Sequence, residues 1–161
     1  MKYILGVLLL LLTSCVSYYP LVTDVENSAI FMFKQNSDTA LSSSSSFVKV
    51  DKEYKCDSSG GYLDQQILGS VSEGNPFASS KNENGIRVYP EKEFRLLVRN
   101  VPANVFGQYR CDVVVKFEVE KQKEYLITFI RQNDSCSVVV EQLSVNKDEN
   151  KIVNLIESKS C

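Results

Sequence analysis

The sequence contains no histidine. That removes the side chain that titrates nearest neutral pH and the commonest protein ligand of zinc and copper. Neither a Ser–His nor a Cys–His nucleophile pair can be assembled. Carboxylate-pair catalysis is left, but no spacing of Asp and Glu singles out a pair. Asp64 and Glu73, the nearest candidates, read as solvated loop charges. A basic cluster is lacking too: 18 Lys and Arg stand against 20 Asp and Glu. Nucleic-acid binding, which rests on cations meeting phosphate, is therefore not expected. These gaps point to a non-catalytic protein with no cofactor and no metal.

What is present starts at the amino terminus. Met1 and Lys2 give a short positive end, and Tyr3 to Leu12 is apolar except for Gly6. A run of about 10 residues is too short for the roughly 20 that a spanning helix needs. The leucines run all the way round with no polar face, which excludes an amphipathic helix packed on a core. A basic start, a short apolar stretch and then small residues are the plan of a secretory signal.

Leu12-Thr13-Ser14-Cys15 closes that stretch and resembles the lipobox of bacterial lipoproteins. The resemblance covers residues 1–15 only. It implies a diacylglyceryl group on the Cys15 sulfur, cleavage just before Cys15, and acylation of the new amino group, with palmitate a usual chain. Two or more acyl chains make a stable anchor, each buried methylene contributing about 0.8 kcal/mol. Val16 stands where family members retained in the inner membrane tend to carry Asp, so the resemblance implies the outer membrane, periplasmic face. Removing residues 1–14 takes one lysine away and leaves 17 cations against 20 anions on 147 residues. That length suits one domain with a real core.

Four cysteines follow Cys15: Cys56, Cys111, Cys136 and Cys161. An even number in an exported chain reads as two disulfides. A four-thiolate metal site normally uses close CxxC pairs, whereas the gaps here are 55, 25 and 25 residues.

Val16 to Ser28 reads as a mobile tether belonging to a lipidated segment, 15–28, ahead of a single domain, 29–161. "AIFMFK" (29–34) is the first expected strand. Ser42 to Ser46 reads as a low-complexity loop before a short strand, "FVKV" (47–50). From Cys56 to Gly85 the chain looks irregular. Within it, Leu63, Ile67 and Leu68 have helical spacing, and Gly69 is placed to end a turn or two of helix. A connection this long is mobile or functional. Tyr62, Leu63 and Phe77 are its candidate partner-binding residues, because exposed aromatics in polar loops are common anchors.

Beyond Ile86 the pattern is strands. Pro90 limits "IRVYP" to an edge. "EFRLLVRN" alternates Phe94, Leu96 and Val98 against Arg95, Leu97 and Arg99. In "YRCDVVVKFEVE" Tyr109, Cys111, Val113, Val115, Phe117 and Val119 share one face, and five of the six residues on the other face are charged. That is a strand with one dry and one wet face. "EYLITFIRQ" and "CSVVVEQL" follow after short turns, which predicts a three-stranded meander. "IVNLIES" reads equally as a strand or a short helix.

In that meander Cys111 and Cys136 flank the middle strand. Two spacings of about 4.8 Å separate them, more than the roughly 7 Å a disulfide spans, unless the middle strand stops near Ile130. Cys111–Cys136 and Cys56–Cys161 are the expected pairs. The expected fold is mainly β: a small antiparallel β-sandwich or partly open barrel with a C-terminal meander and at most one or two helical turns. The expected role is an envelope lipoprotein, held in the membrane through Cys15, that binds a protein partner. The alternative is an inhibitor or immunity protein against a lysozyme-like or toxic envelope enzyme. "EYKCDSSGG" resembles the Tyr-x-Cys opening of one family of periplasmic lysozyme inhibitors. The rest of that pattern is missing, and no inhibitory residue carries over.

Overall fold

The computed structural model describes residues 17–37, 43–51, 65–73, 80–82, 85–102, 110–132, 135–144 and 149–160. Ten strands fill most of them: β1 (Ala29–Ser37), β2 (Ser43–Val50), β3 (Gln65–Glu73), β4 (Ile86–Val88), β5 (Glu91–Pro102), β6 (Cys111–Val119), β7 (Glu124–Gln132), β8 (Ser135–Leu143), β9 (Lys151–Ile152) and β10 (Glu157–Ser160). One sheet runs β4-β1-β7-β8-β9 and the other β10-β6-β5-β2-β3. All pairings are antiparallel except β1 with β7. The two sheets pack into a β-sandwich that is not closed into a barrel.

The core is built from the inward residues of both sheets. Phe31, Phe94, Phe117 and Tyr125 cluster with ring centroids 5.1–6.2 Å apart, and Phe33 stacks on Phe47 at 4.4 Å. Apart from Phe33, which is 5% exposed, these rings are essentially inaccessible. Truncating one such ring to alanine costs about 3–5 kcal/mol, so this cluster holds the two layers together.

The C-terminal meander exists, but its members are β7, β8 and β9. β6 belongs to the other sheet, between β5 and β10. Instead of closing a hairpin, residues 120–123 carry the chain from one layer to the other. Gln122 takes a left-handed conformation there (φ 59°), and its N–H donates to the Ser28 carbonyl at 2.7 Å. Crossing over lets the apolar faces of β6 and β7 meet face to face, as Phe117 and Tyr125 do at 6.2 Å.

Three other expectations are corrected. The serine run is not a loop: Ser43 to Ser46 open β2, with Ser43 and Ser45 buried. Residues 65–73 are strand rather than helix. Phe47 pairs with Gly69 and Val48 with Ile67, so Leu68 is the extra residue of a β-bulge. A Cβ on Gly69 would lie 2.7 Å from the Phe33 ring and 2.8 Å from the Lys81 carbonyl oxygen, which is why glycine occupies the position. Finally, residues 17–28 are packed on the domain rather than hanging as a mobile tether. Tyr19, Val22 and Ser28 are buried, and Tyr18 bridges in parallel to Ile67 of β3. The "IVNLIES" segment supplies the end of β9 and the start of β10 and no helix.

The outer face of the β3–β6 sheet is not uniformly wet. Val48, Val50, Leu97 and Val114 form a second buried apolar cluster there. Leu97 faces outward as expected, yet it is fully buried. Next to this cluster Asp112 is 3% exposed and lies between Arg99 (Nε 3.2 Å) and Arg110 (Nε 3.0 Å).

Candidate functional site

Four inward-facing series turn polar toward one end of the sandwich. Phe31 and Phe33 lead to Gln35, and Phe47 to Ser45 and Ser43. Phe94, Leu96 and Val98 lead to Asn100, and Tyr125, Ile127 and Phe129 to Arg131. These polar ends bond to one another. Gln35 Nε2 donates to Ser43 Oγ (2.6 Å), and Ser45 Oγ donates to Gln35 Oε1 (2.7 Å). Asn100 Nδ2 donates to Ser45 Oγ (3.0 Å), and Arg131 Nη1 donates to Asn100 Oδ1 (3.1 Å). Buried polar groups cost little only when so paired. Arg131 Nε is the exception, buried with no hydrogen-bond partner among the described residues.

The Cys111–Cys136 disulfide closes this end, with Cα atoms 6.5 Å apart. Asn100 sits opposite Cys111 and Arg131 opposite Cys136 in their sheets. The pairing is the expected one, but the geometry behind it differs. β7 continues beside β8 to Gln132, so the middle strand does not stop short. The bond joins two layers instead of reaching across a strand.

At the other end the amino-terminal segment takes over. The Tyr19 N–H donates to the Ile67 carbonyl and the Ile67 N–H to the Ser17 carbonyl, both at 3.0 Å. Tyr19 is inserted beneath Lys49, whose ammonium lies 5.7 Å from its ring centroid, and its hydroxyl accepts the Tyr89 N–H at 3.1 Å. Burial raises the Tyr19 pKa, outweighing that N–H, which lowers it. Burial would lower the pKa of Lys49, but the hydrogen bond and charge of Glu91 win and hold it raised. Asp24 then organises the following turn by accepting the N–H groups of Glu26 and Asn27 (each 3.1 Å) and Asn27 Nδ2 (3.0 Å). The Asn27 side chain, followed by its N–H, holds the Asp24 carboxyl below the usual range.

This anchoring leaves a set of apolar side chains outside. Tyr18 is 54% exposed, Leu21 87%, Val25 58% and Tyr89 46%. Lys81 places its ammonium 3.7 Å from the Tyr18 ring centroid. On the far side of the same end, an open cleft of about 470 Å³ lies among Lys123, Glu124, Glu149 and Lys151. Its charges are mixed and favour neither an anion nor a cation. Among the described residues no three acidic or thiol side chains converge on one point.

Of the candidates read from the sequence, Cys111 and Cys136 are brought together. Cys15, Cys56, Cys161, Tyr62, Leu63, Asp64 and Phe77 lie outside the described residues. Glu73 ends β3 opposite Ser43. Sequence reasoning missed the polar network, although Gln35, Asn100 and Arg131 each extend an alternating apolar series by one step. It also missed Tyr19 and Val22 as anchors, since two buried residues three apart form no strand pattern. Comparison with protein-family models, with curated proteins and with solved structures finds no match for this chain.

Proposed function

We propose that this protein is a lipoprotein of the bacterial envelope. In this reading it is anchored in the outer membrane through lipid on Cys15, faces the periplasm, and serves as a non-catalytic binding or accessory module. The observation that carries the reading is the junction between the motif and the packed chain. Leu12-Thr13-Ser14-Cys15 ends two residues before Ser17, whose carbonyl is already bonded to β3. Cleavage before Cys15 would therefore leave a chain that enters its fold almost at once. The Cys111–Cys136 disulfide supports export, because such bonds persist in oxidising compartments and are rare in the cytosol. The buried polar residues support a non-catalytic role: Gln35, Ser43, Ser45 and Asn100 are committed to one another rather than to a cavity.

Fractionation of cells carrying the full-length chain tests this. The protein should follow the outer membrane, and the Cys15→Ala form should lose both processing and membrane retention. Unchanged partitioning of Cys15→Ala would end the anchor reading. Crosslinking in intact cells should then recover a discrete protein neighbour. If that neighbour is a wall-degrading or toxic enzyme and the protein blocks its activity, the inhibitor reading replaces the accessory one.

A further inference from the structure

We infer that the surface formed by Tyr18, Leu21, Val25 and Tyr89 is a membrane-contact face, which seats the domain flush on the lipid headgroups instead of letting it swing from its anchor. The inference rests on the lipid-anchor reading above. The reach of the chain argues for it. Only Val16 separates Cys15 from Ser17, and the two residue steps span at most about 7 Å of extended backbone. The headgroup layer on each side of a bilayer is about as thick, roughly 5–8 Å. Ser17 and Tyr19 are fixed to Ile67 by two backbone hydrogen bonds. With acyl chains on Cys15, Tyr18 is thus confined to the headgroup layer or its edge. No slack remains for the domain to turn another side to the membrane.

The residues so confined suit that place. Of the seven large hydrophobic side chains exposed among the described residues, four are these. Scattered exposed hydrophobics need no explanation, but a group on one anchored segment and its neighbour does. Tyrosines favour the membrane–water boundary, where the ring is half dry and the hydroxyl wet. Val25 sits inside the 24–27 turn that Asp24 orders, so little order is lost when it enters the lipid. Lys81, beside the Tyr18 ring, offers a cation to lipid phosphate. Asp24 and Glu26 lie on the same loop, so the apolar side chains and not net charge carry the contact.

The absence of tryptophan gives a clean test. Leu21→Trp and Ile152→Trp each place a single emitter at an exposed site. Ile152 lies on β9, about 19 Å and four strand spacings from β4. The full-length chain is expressed with its own leader, purified, and reconstituted in phosphatidylethanolamine–phosphatidylglycerol vesicles whose acyl chains are brominated near the carbonyl. The Leu21→Trp emission should shift to the blue and lose most of its intensity, while Ile152→Trp keeps most of its own. Tyr89→Trp reports the same surface from another element and should follow Leu21→Trp. Incorporation of labelled palmitate that depends on Cys15 reads the anchor separately. Label present with equal quenching at 21 and 152, or none at either, overturns the contact face and leaves the anchor standing. Label absent overturns both.

Discussion

Replacing both Cys111 and Cys136 by alanine removes the covalent tie between the two sheets, and the size of the effect follows from the loop it closes. For a sequence separation of 25 residues, the chain-entropy relation gives about 3.5 kcal/mol at 25 °C. For a domain of this size that lowers the thermal midpoint by roughly 10 °C. The loss should also be local. Cys111 and Cys136 cap the end that holds Gln35, Ser45, Asn100 and Arg131, so releasing them admits water there first. Far-ultraviolet circular dichroism in urea measures the first quantity, and amide exchange the second. Exchange should rise at Val113 and Val138, near the bond, before it rises at Val119 and Tyr125 at the opposite end. A double variant within about 1 kcal/mol of the parent, or exchange rising evenly along β6 and β7, would refute the view that this bond fastens one end of the sandwich.

Gly69→Ala should destabilise by about 1–3 kcal/mol, because the new Cβ would collide with the Lys81 carbonyl oxygen and the Phe33 ring; urea midpoints measure it, and a neutral result would contradict the close approach. Asn100→Ala should cost about 1–3 kcal/mol by leaving Arg131 Nη1 without its acceptor. Asn100→Leu combined with Arg131→Met should recover much of that loss, since no buried donor is then orphaned; an additive double variant would refute the coupling. The Asp24 carboxyl is held below its usual range, so the order it gives the 24–27 turn is complete above about pH 4. That order is lost as pH falls through the lowered value, and amide exchange at Glu26 and Asn27 should accelerate only there.

How the sequence conveys this fold depends on the distance over which information is read. Which residues face inward was legible, because alternation along β5, β6 and β7 is a local property. Which strands pair was not: β6 and β7 adjoin in sequence, yet β1 inserts beside β7 in parallel and β5 beside β6. The disulfide was predicted from a geometry that does not occur, since two cysteines 25 residues apart fit both a meander and a bridge between layers. The serines were misread because their composition signals a turn, although Ser43 and Ser45 continue the two-residue step from Phe47. The helix reading at 62–68 also has a cause. The bulge at Leu68 sets two apolar residues, Ile67 and Leu68, next to each other, which breaks strand alternation and, with Leu63 four positions before Ile67, gives helical spacing.

The proposed membrane anchor depends on what the mature chain carries at its first residue. Intact mass analysis of the protein purified from bacterial membranes measures this most directly. It should show a chain beginning at Cys15 with the added mass of a diacylglyceryl group and an amide-linked acyl chain. A chain that still starts at Met1, or one that begins at Cys15 without added lipid, would contradict the anchored reading and with it the membrane seat of the amino-terminal face.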